Sequence, residues 1–342
     1  MGSVKDLQVI KQATTEDYGT GRFIYSDRYS VFDWGEMPDR IPNKGASITI
    51  LGAYFFEKLE SMGISTHYIG LVENDNIKKL NEIESPLNTM QIKLLRVIKP
   101  KLDGNVYDYS EYKNQFGGFL IPLEVIYRNY LPPGSSVFKR LRNGEIKPHD
   151  LGLEKMPEPN QKLMPPILDV STKLEITDRY MNWKEAQGIA GMSDEELVSL
   201  KELISNINKI ITDDFSSIGL INEDGKIEAG FDKERKIMLV DVFGTLDECR
   251  FTYDGIPVSK EIARIYYRNT DWNAAVEKAK KKDRQHWKEI CELKPEPLSP
   301  RLRNLISQVY SGVTNEITKR EWFKDVPPLK VVLKGIKDEL GI

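Results

Sequence analysis

Short apolar runs separated by turn residues mark the first part of the chain. They predict strands over residues 7–10, 23–25 and 67–71. Between the second and third of these runs, apolar residues recur every three or four positions as far as Gly63, a spacing that places them on one face of an α-helix. This helix is predicted to begin at residue 46 or 47. Its apolar positions are Leu51, Phe55, Leu59 and Met62.

The pattern changes over residues 101–118, where Tyr, Asp, Asn and Gly dominate. This composition predicts a loop or hairpin inserted between a strand at residues 94–98 and a second strand that begins near Leu120. We place a domain boundary at the end of the insertion. It divides the chain into a β-rich domain with one long helix, residues 1–119, and a larger α+β domain, residues 120–342.

The clearest helix of the chain begins after Ser193. Ser193 and Glu196 have the spacing of a capping box, in which each side chain bonds the backbone N–H of the other residue. Leu and Ile then recur at helical spacing as far as Phe215, which indicates a helix that supports the core. A second apolar stripe predicts a C-terminal helix that packs on its own domain or on a second subunit, so a homodimer stays open. This stripe consists of Leu302, Leu305, Ile306 and Val309.

The strand that begins near Leu120 carries two charges. Because side chains alternate along a strand, Glu124 and Arg128 share one face. Gly134 and Ser135 follow and offer backbone N–H groups and a hydroxyl to an anion. Since an isolated buried charge is costly, we expect the two charges to pair or to face a ligand. The alternative is an edge strand with a surface salt bridge and a Pro-rich turn.

Residues 226–230 and 236–241 predict the two strands of a hairpin. In the expected register Glu228 lies opposite Asp241, and Lys226 falls on the same face. Two adjacent carboxylates repel each other unless a divalent cation or a shared proton lies between them, and hard oxygen ligands favour Mg²⁺. The alternative is a surface hairpin whose carboxylates point to water, because a slip of one residue would undo the pairing.

Length and composition limit the class of protein. The chain has 342 residues, enough for two domains of ordinary size. With 30% charged residues, 40% hydrophobic residues and a net charge of -3, it is predicted to be globular and to lack a bulk attraction to nucleic acid. Only two cysteines occur, and no signal peptide or membrane span is visible. We therefore expect a cytoplasmic protein without structural zinc.

Rossmann and P-loop nucleotide motifs do not occur in the sequence, so chemistry is expected from carboxylates, Lys and Arg. Arg128 and Arg250 are candidate phosphate anchors, because a guanidinium can bind a phosphate through two parallel hydrogen bonds. Asp247 adds a carboxylate close to Arg250 in the chain. The basic run at residues 278–284 is interpreted as a solvated helix face, because an acidic residue is mixed into it.

Six segments of the chain resemble, in order, motifs of the SAICAR synthetase family, the phosphoribosylaminoimidazole-succinocarboxamide synthases. The most specific stretch joins residues 26–33 to residues 41–45. The resemblance implies a two-domain α+β fold with antiparallel sheets, in which ATP lies in the cleft between a nucleotide-binding N-terminal domain and a larger domain for substrate and metal. The other similar segments are residues 2–6, 121–128, 219–230 and 241–250.

The resemblance also implies a reaction of purine biosynthesis. The family joins L-aspartate to the carboxylate of carboxyaminoimidazole ribonucleotide and splits ATP into ADP and phosphate. A carboxylate is a poor electrophile, so its conversion to an acyl phosphate creates a leaving group that the amine of aspartate can displace. The implied cofactors are ATP and Mg²⁺, and the ion would neutralise charge where phosphate and carboxylate meet.

Residue by residue, the resemblance assigns three sets of side chains. The ATP site would contain Lys5, Leu120, Glu124, Lys226, Glu228 and Asp241, and the last two would also hold Mg²⁺. The ribonucleotide would be bound by Arg128, Ser135, Asp247, Arg250, Arg264 and Arg268, although the last two share a helix face and either could be the phosphate ligand. The catalytic residues would be Lys173, Asp178 and Lys226, with Asp178 orienting the aspartate or acting as a base.

Two other functions stay open at this point. A small-molecule kinase uses the same carboxylates, Lys and Arg to transfer phosphate to a hydroxyl group. A non-catalytic protein that binds anions or RNA would use Arg128, Lys139, Arg140 and residues 278–284, and its binding would depend steeply on salt. For the ligase, neither nucleic acid nor a membrane is expected as a partner.

Overall fold

The computed structural model describes residues 4–104, 106–283 and 286–342. Its first five strands are β1 (Lys5–Lys11), β2 (Gly19–Tyr25), β3 (Tyr68–Glu73), β4 (Asn76–Lys78) and β5 (Thr89–Leu94). They form one antiparallel sheet in the order β1-β2-β5-β3-β4. Helix α1 (Lys44–Ser61) packs against this sheet through its apolar stripe. The strands predicted at residues 7–10, 23–25 and 67–71 and the long helix are confirmed, whereas the strand predicted at residues 94–98 is wrong, because β5 ends at Leu94.

The predicted insertion is a hairpin of β6 (Lys101–Asp103) and β7 (Val106–Asp108); Asn105 lies outside the described residues. A second antiparallel sheet follows the hairpin. Its strands are β8 (Phe119–Leu131), β9 (Gln161–Thr172), β10 (Tyr180–Met181), β11 (Ile221–Phe231), β12 (Ile237–Val240), β13 (Cys249–Tyr253) and β14 (Ile256–Pro257). The strand order is β10-β9-β8-β11-β13-β14, and β12 pairs with β11.

The remaining α-helices follow β8 in the chain. They are α2 (Ser136–Arg142), α3 (Trp183–Ala190), α4 (Asp194–Ser217), α5 (Glu261–Arg268), α6 (Asp271–Lys282), α7 (Trp287–Ile290), α8 (Pro300–Thr318) and α9 (Leu329–Leu340). The basic run lies largely on α6, and its last residue, Arg284, falls outside the described residues. Within the described ranges no helix has the length and apolar character needed to cross a membrane.

Strand β8 lies in the middle of the second sheet, paired with β9 on one side and β11 on the other. The edge-strand alternative for this segment is therefore wrong. Arg128 is only 2% exposed, and it bonds groups on both neighbouring strands. Because β8 has partners on both sides, its charged side chains are held within the sheet rather than presented at an edge.

The hairpin of β11 and β12 forms as predicted, but its predicted register is wrong by one residue. Glu228 pairs with Val240, and Asp241 follows the last paired residue. The cause is the turn: Asp232 accepts hydrogen bonds from the N–H groups of Glu234 at 2.9 Å and Lys236 at 2.7 Å. This tight closure fixes which residues lie opposite one another, and residue counting cannot reveal it.

The two sheets share one hydrophobic core. Phe55 of α1 and Phe215 of α4 are fully buried, and Phe215 stacks on Phe251 of β13 at a ring separation of 3.7 Å. Isolated bridge pairs also connect the sheets, Thr66 with Leu239 and Arg96 with Phe119. A cavity lies beside these junctions. The domain boundary at residues 119 and 120 stays a prediction.

The capping box of α4 is present as predicted. The Glu196 N–H donates to Ser193 Oγ at 3.2 Å, and the Ser193 N–H donates to the Glu196 carboxylate at 2.8 Å. We expect Ser193→Ala to lower the free energy of unfolding by about 1 kcal/mol, measured by chemical denaturation, because one orphan N–H loses its partner. Ser205→Ala, in the middle of the same helix, is the control and should not destabilise the protein. Equal losses for both variants would contradict a capping effect.

Candidate functional site

The first cavity lies where the two sheets meet and has a volume of about 520 Å³. One end is charged and contains Lys5, Lys173, Glu228 and Asp241. The remaining walls are largely apolar, and Lys93 and His67 also line them. The apolar residues include Leu7, Phe23, Ile92, Leu94, Val97, Leu120 and Val240. A slot of this kind suits a ligand with a flat apolar ring and an anionic tail.

Strand pairing brings the charged residues together. Glu124 of β8 lies directly opposite Glu228 of β11, and Lys226 shares the Glu228 face because it precedes it by two residues. Lys226 Nζ contacts Glu228 and lies 3.2 Å from a Glu124 oxygen. Lys173 Nζ lies 2.5 Å from the other Glu228 oxygen. Two facing carboxylates are tolerated here because two ammonium groups bind them.

The environment raises the pKa values of two groups in this cluster, one acidic and one basic. Burial raises the pKa of Glu124, and the neighbouring Lys226 only partly offsets this. Burial works against the charge of Lys226, but the carboxylates of Glu248, Glu228 and Glu124 outweigh it and raise the pKa of Lys226. Lys226 therefore stays protonated at neutral pH and neutralises Glu228, which lines the cavity.

Asp241 and Lys5 form a second pair at the same end, in contact with each other. Burial favours the neutral acid, but the ammonium group of Lys5 outweighs it and lowers the pKa of Asp241. Asp241 has a left-handed φ of +58°, so the chain turns sharply there. The structure thus brings Asp241 to the cavity through this turn rather than through strand pairing. Residues 2 and 3 of the first motif lie outside the described residues.

Asp178 lies in an exposed loop between β9 and β10. Burial of its carboxyl group raises the pKa of Asp178, while the ammonium groups of Lys226 and Lys173 act in the opposite direction. The β6–β7 hairpin region supports this loop. The Tyr109 hydroxyl donates to Glu175 at 3.0 Å, which ties the loop to the inserted segment.

Arg128 and Arg250 converge on one carboxylate. Arg128 Nη1 lies 3.3 Å from Asp224, and Arg250 Nε lies 2.7 Å from it. Arg128 also binds Asp169 at 3.0 Å and donates to Ser135 Oγ at 3.4 Å. Ser135 is itself the N-cap of α2. The strands hold both guanidinium groups in fixed orientations, because Asp224 lies directly opposite Arg128 in the ladder.

The second cavity has a volume of about 210 Å³ and adjoins these arginines. Its lining includes Gly134, Arg250 and Arg268. A Cβ atom placed on Gly134 would lie 3.7 Å from Arg250 Nη1 and 3.7 Å from Arg268 Nη2, so the two guanidinium groups meet over the backbone of Gly134. Burial raises the pKa of Glu223, in the same lining, to about 7. Two guanidinium groups beside the exposed backbone of a glycine form a suitable anion site.

Asp247 and Arg264 line a third cavity, also of about 210 Å³. Asp247 is buried and accepts hydrogen bonds from Lys44 at 2.5 Å and from the Tyr310 hydroxyl at 2.6 Å. Lys260 Nζ donates to the Asp247 carbonyl at 2.6 Å. Of the six residues predicted for the ribonucleotide, the structure thus brings Arg128, Ser135, Arg250 and Arg268 together and places Asp247 and Arg264 elsewhere.

Three charged residues of these sites were not predicted from the sequence. Asp224 and Asp169 bind Arg128, and Lys44 binds Asp247. Asp224 had a usable signal, because it precedes Lys226 by two residues and shares its face of β11. Lys44 lies in a motif that supported the family resemblance, without an assigned role. Asp169 had no local signal, because its partners Arg128 and Arg140 come from β8 and α2.

The donor set limits what metal this site can hold. Among the described residues there is no group of three or more His, Cys, Asp or Glu side chains placed to bind a metal ion. Glu228 and Asp241 both line the first cavity, and each faces a lysine. Two carboxylates fit Mg²⁺, which is commonly held by one or two carboxylates together with substrate phosphates.

Comparison with known proteins gives consistent results. A family profile described as SAICAR synthetase matches residues 9–279. A chain of Archaeoglobus fulgidus that carries the name phosphoribosylaminoimidazole-succinocarboxamide synthase provisionally is 51% identical over 340 residues, 99% of this chain and 100% of its own length. The synthase of the same name from Thermoplasma volcanium is 33% identical over 332 residues, 94% of this chain and 98% of its own.

A solved structure adds the fold. It is a SAICAR synthetase in complex with ADP, 25% identical to this chain, with a TM-score of 0.55. The match covers 87% of this chain and 99% of the solved one. The predicted α+β fold with antiparallel sheets is confirmed.

Proposed function

The chain belongs to the SAICAR synthetase family of ATP-dependent ligases in purine biosynthesis, and from this membership we propose how its residues perform the reaction. The carrying observation is the first cavity, an apolar slot whose charged end contains Lys5 and Lys173, with Lys226 bound to the lining residue Glu228. The substrates are ATP, L-aspartate and carboxyaminoimidazole ribonucleotide. The family membership does not favour the kinase or the anion- and RNA-binding alternatives.

ATP binds in the first cavity between the two parts of the chain. Its base lies between apolar side chains that include Leu120, and its phosphates reach the ammonium groups of Lys5 and Lys226. The raised pKa of Lys226 keeps this charge in place at neutral pH. Glu124 orients Lys226 through their contact of 3.2 Å. The ADP bound in the solved relative supports a nucleotide in this family.

Glu228 and Asp241 would hold Mg²⁺ beside the bound nucleotide. The lysines that neutralise these carboxylates would then share them with the ion. When bound, Mg²⁺ would supply charge neutralisation for the phosphate oxygens. Two carboxylates fit an ion that is held together with substrate phosphates.

The ribonucleotide phosphate binds in the second cavity. Arg250 and Arg268 bind the phosphate beside the backbone of Gly134. Arg128 of β8 and Ser135, the N-cap of α2, bind it from the other elements. Asp224 keeps Arg128 and Arg250 in place. Arg264 and Arg268 are the two candidate phosphate ligands on α5. This geometry favours Arg268, because Arg268 lines the second cavity and Arg264 lines the third.

The amine of aspartate attacks on the side of Lys173 and Asp178. The substrate carboxylate first takes the terminal phosphoryl group of ATP and releases ADP; the amine then forms the amide bond and expels phosphate. The attacking amine has to lose a proton. Burial raises the pKa of Asp178, which makes its carboxylate a better proton acceptor at this point.

The product mixture tests this function. The purified protein with ATP, Mg²⁺, L-aspartate and the ribonucleotide should release phosphate and form the succinocarboxamide, measured by chromatography of the products. Omission of aspartate should reduce amide formation to background. ADP formation that ignores aspartate, with a phosphorylated ribonucleotide as the stable product, would reject the ligase and favour a kinase.

We propose that the enzyme is cytoplasmic. Both cysteines are free thiols, and a reducing compartment keeps thiols in that state. Leu302, Ile306 and Val309 of α8 are buried within the chain itself, so this stripe offers little apolar surface to a second subunit. A homodimer stays a proposal that light scattering would test.

A further inference from the structure

The loop of residues 26–43, called here the Asp33 loop, precedes α1 and lines the third cavity. Its residues Phe32 and Asp33 are consecutive and both have left-handed φ values, +55° and +64°. Neither is glycine, so this conformation is sparsely populated and persists only where surrounding contacts fix it. The side chain of Asp33 is 92% exposed, so its own packing does not provide that constraint.

The constraint comes from α6 and α7. Lys280 Nζ donates to the carbonyl of Phe32 at 2.9 Å and lies 3.7 Å from the carboxylate of Asp33. The same ammonium group lies 4.6 Å from the ring centroid of Trp287, which holds it in position. One side chain thus contacts both of these consecutive residues, Phe32 and Asp33.

Aromatic packing secures the loop beside this contact. Trp34 packs edge-on against Trp272 at 5.5 Å and lies 5.9 Å from Trp287. Phe32 also packs against Trp272, at 6.0 Å. The indole rings of α6 and α7 therefore form a rigid platform under the loop, because both are almost fully buried.

The loop meets the reaction site through the third cavity. Asp33 and Glu248 both line this cavity, and Glu248 lies 3.7 Å from Lys226. Lys226 and Lys173 lie 3.2 Å and 3.6 Å from the same oxygen of Glu124. The cavity that Asp33 lines therefore adjoins the side on which we place the amine of aspartate. In agreement with this, burial raises the pKa of Asp178 and the carboxylate of Asp33 raises it further, while Lys226 and Lys173 act in the opposite direction.

We propose that Lys280 is a positioning residue that holds Asp33 at the aspartate side of the site, with Trp272 and Trp287 as its support. The family profile ends at residue 279, so Lys280 and Trp287 lie beyond the matched segment. The segment after the match thereby acquires a role in the reaction. The kinetic part of this inference rests on the proposed function.

The test compares Lys280→Met with Lys281→Met, an exposed neighbour on the same helix, and with Lys280→Arg. We expect Lys280→Met to raise the KM for aspartate about ten-fold, the effect expected from the loss of one charge-assisted hydrogen bond. The KM for ATP should stay unchanged. Lys280→Arg can still donate to the Phe32 carbonyl and should restore most of the affinity. Lys281→Met should match the wild type.

A second measurement does not depend on activity. The Asp33 loop contains the exposed Arg40, and trypsin cleavage after Arg40, followed by mass spectrometry, reports how tightly the loop is held. We expect about five-fold faster cleavage in Lys280→Met than in Lys281→Met, because local opening becomes easier. Rescue by Lys280→Arg should slow it again.

The outcomes separate this inference from the proposed function. Equal cleavage and equal KM for aspartate in Lys280→Met and Lys281→Met would overturn it. So would a general loss of stability that raises cleavage at every site alike. If the wild type makes no product from aspartate, the proposed function fails. The positioning of the loop is then tested by cleavage alone, and equal cleavage after Arg40 in Lys280→Met and Lys281→Met would overturn it.

Discussion

Glu228→Gln is expected to reduce turnover about 10³-fold, because the reaction gathers negative charge where this carboxylate acts. Glu228 is 4% exposed and contacts both Lys226 and Lys173. The amide keeps the shape of the side chain but loses the charge that orients both lysines and that we propose for Mg²⁺. Asp241→Asn should act in the same direction, since Lys5 loses its ionic partner.

The measurement is kcat at saturating ATP, aspartate and ribonucleotide, with circular dichroism to show that the fold is intact. Asp214→Asn is the matched control, because Asp214 forms a comparable pair with Lys58 at 2.6 Å, away from the first cavity. It should keep wild-type turnover. A metal role also predicts that Asp241→Asn needs more Mg²⁺ for half-maximal rate. Wild-type turnover in both site variants would remove the assignment.

The sequence predicted the elements whose signals are local. The helix α4 was visible because a capping box and a regular Leu and Ile spacing lie within one segment. The cluster of Lys226 and Glu228 was visible because side chains alternate along β11. In each case the information lies within a few residues of the chain.

The register of the β11–β12 hairpin could not be predicted in this way. It depends on hydrogen bonds of the Asp232 side chain inside the turn, and counting residues does not include them. Two carboxylates nevertheless lie close together at another position of the sheet. Glu124 lies opposite Glu228, and the cations between them are lysines.

The partners of Asp247 illustrate the second limit. Lys44 and Tyr310, which bind its carboxylate, lie 203 and 63 positions away in the chain. Such contacts arise from the packing of α1 and α8, and no short pattern contains them. The same holds for Arg264 and Arg268, because helical spacing shows their common side but not which cavity each one reaches.

Arg250→Met is expected to raise the KM for the ribonucleotide about a hundred-fold with a smaller change in kcat, because a charged, bidentate phosphate contact is lost. The loss extends beyond one contact. Arg250 shares Asp224 with Arg128, so its removal leaves Arg128 as the remaining arginine on that buried carboxylate. The remaining guanidinium is then drawn toward Asp224 rather than toward phosphate.

Arg268→Met should act in the same direction with a smaller effect, since Arg268 meets Arg250 over Gly134 but is partly exposed. Arg264→Met should change the KM for the ribonucleotide less than Arg268→Met, because Arg264 lines the third cavity. Arg142→Met, at the exposed end of α2, serves as the control for loss of one positive charge. Steady-state kinetics with the ribonucleotide varied at saturating ATP and aspartate would measure all four variants. If Arg250→Met binds the ribonucleotide as tightly as Arg142→Met does, the phosphate does not lie in the second cavity.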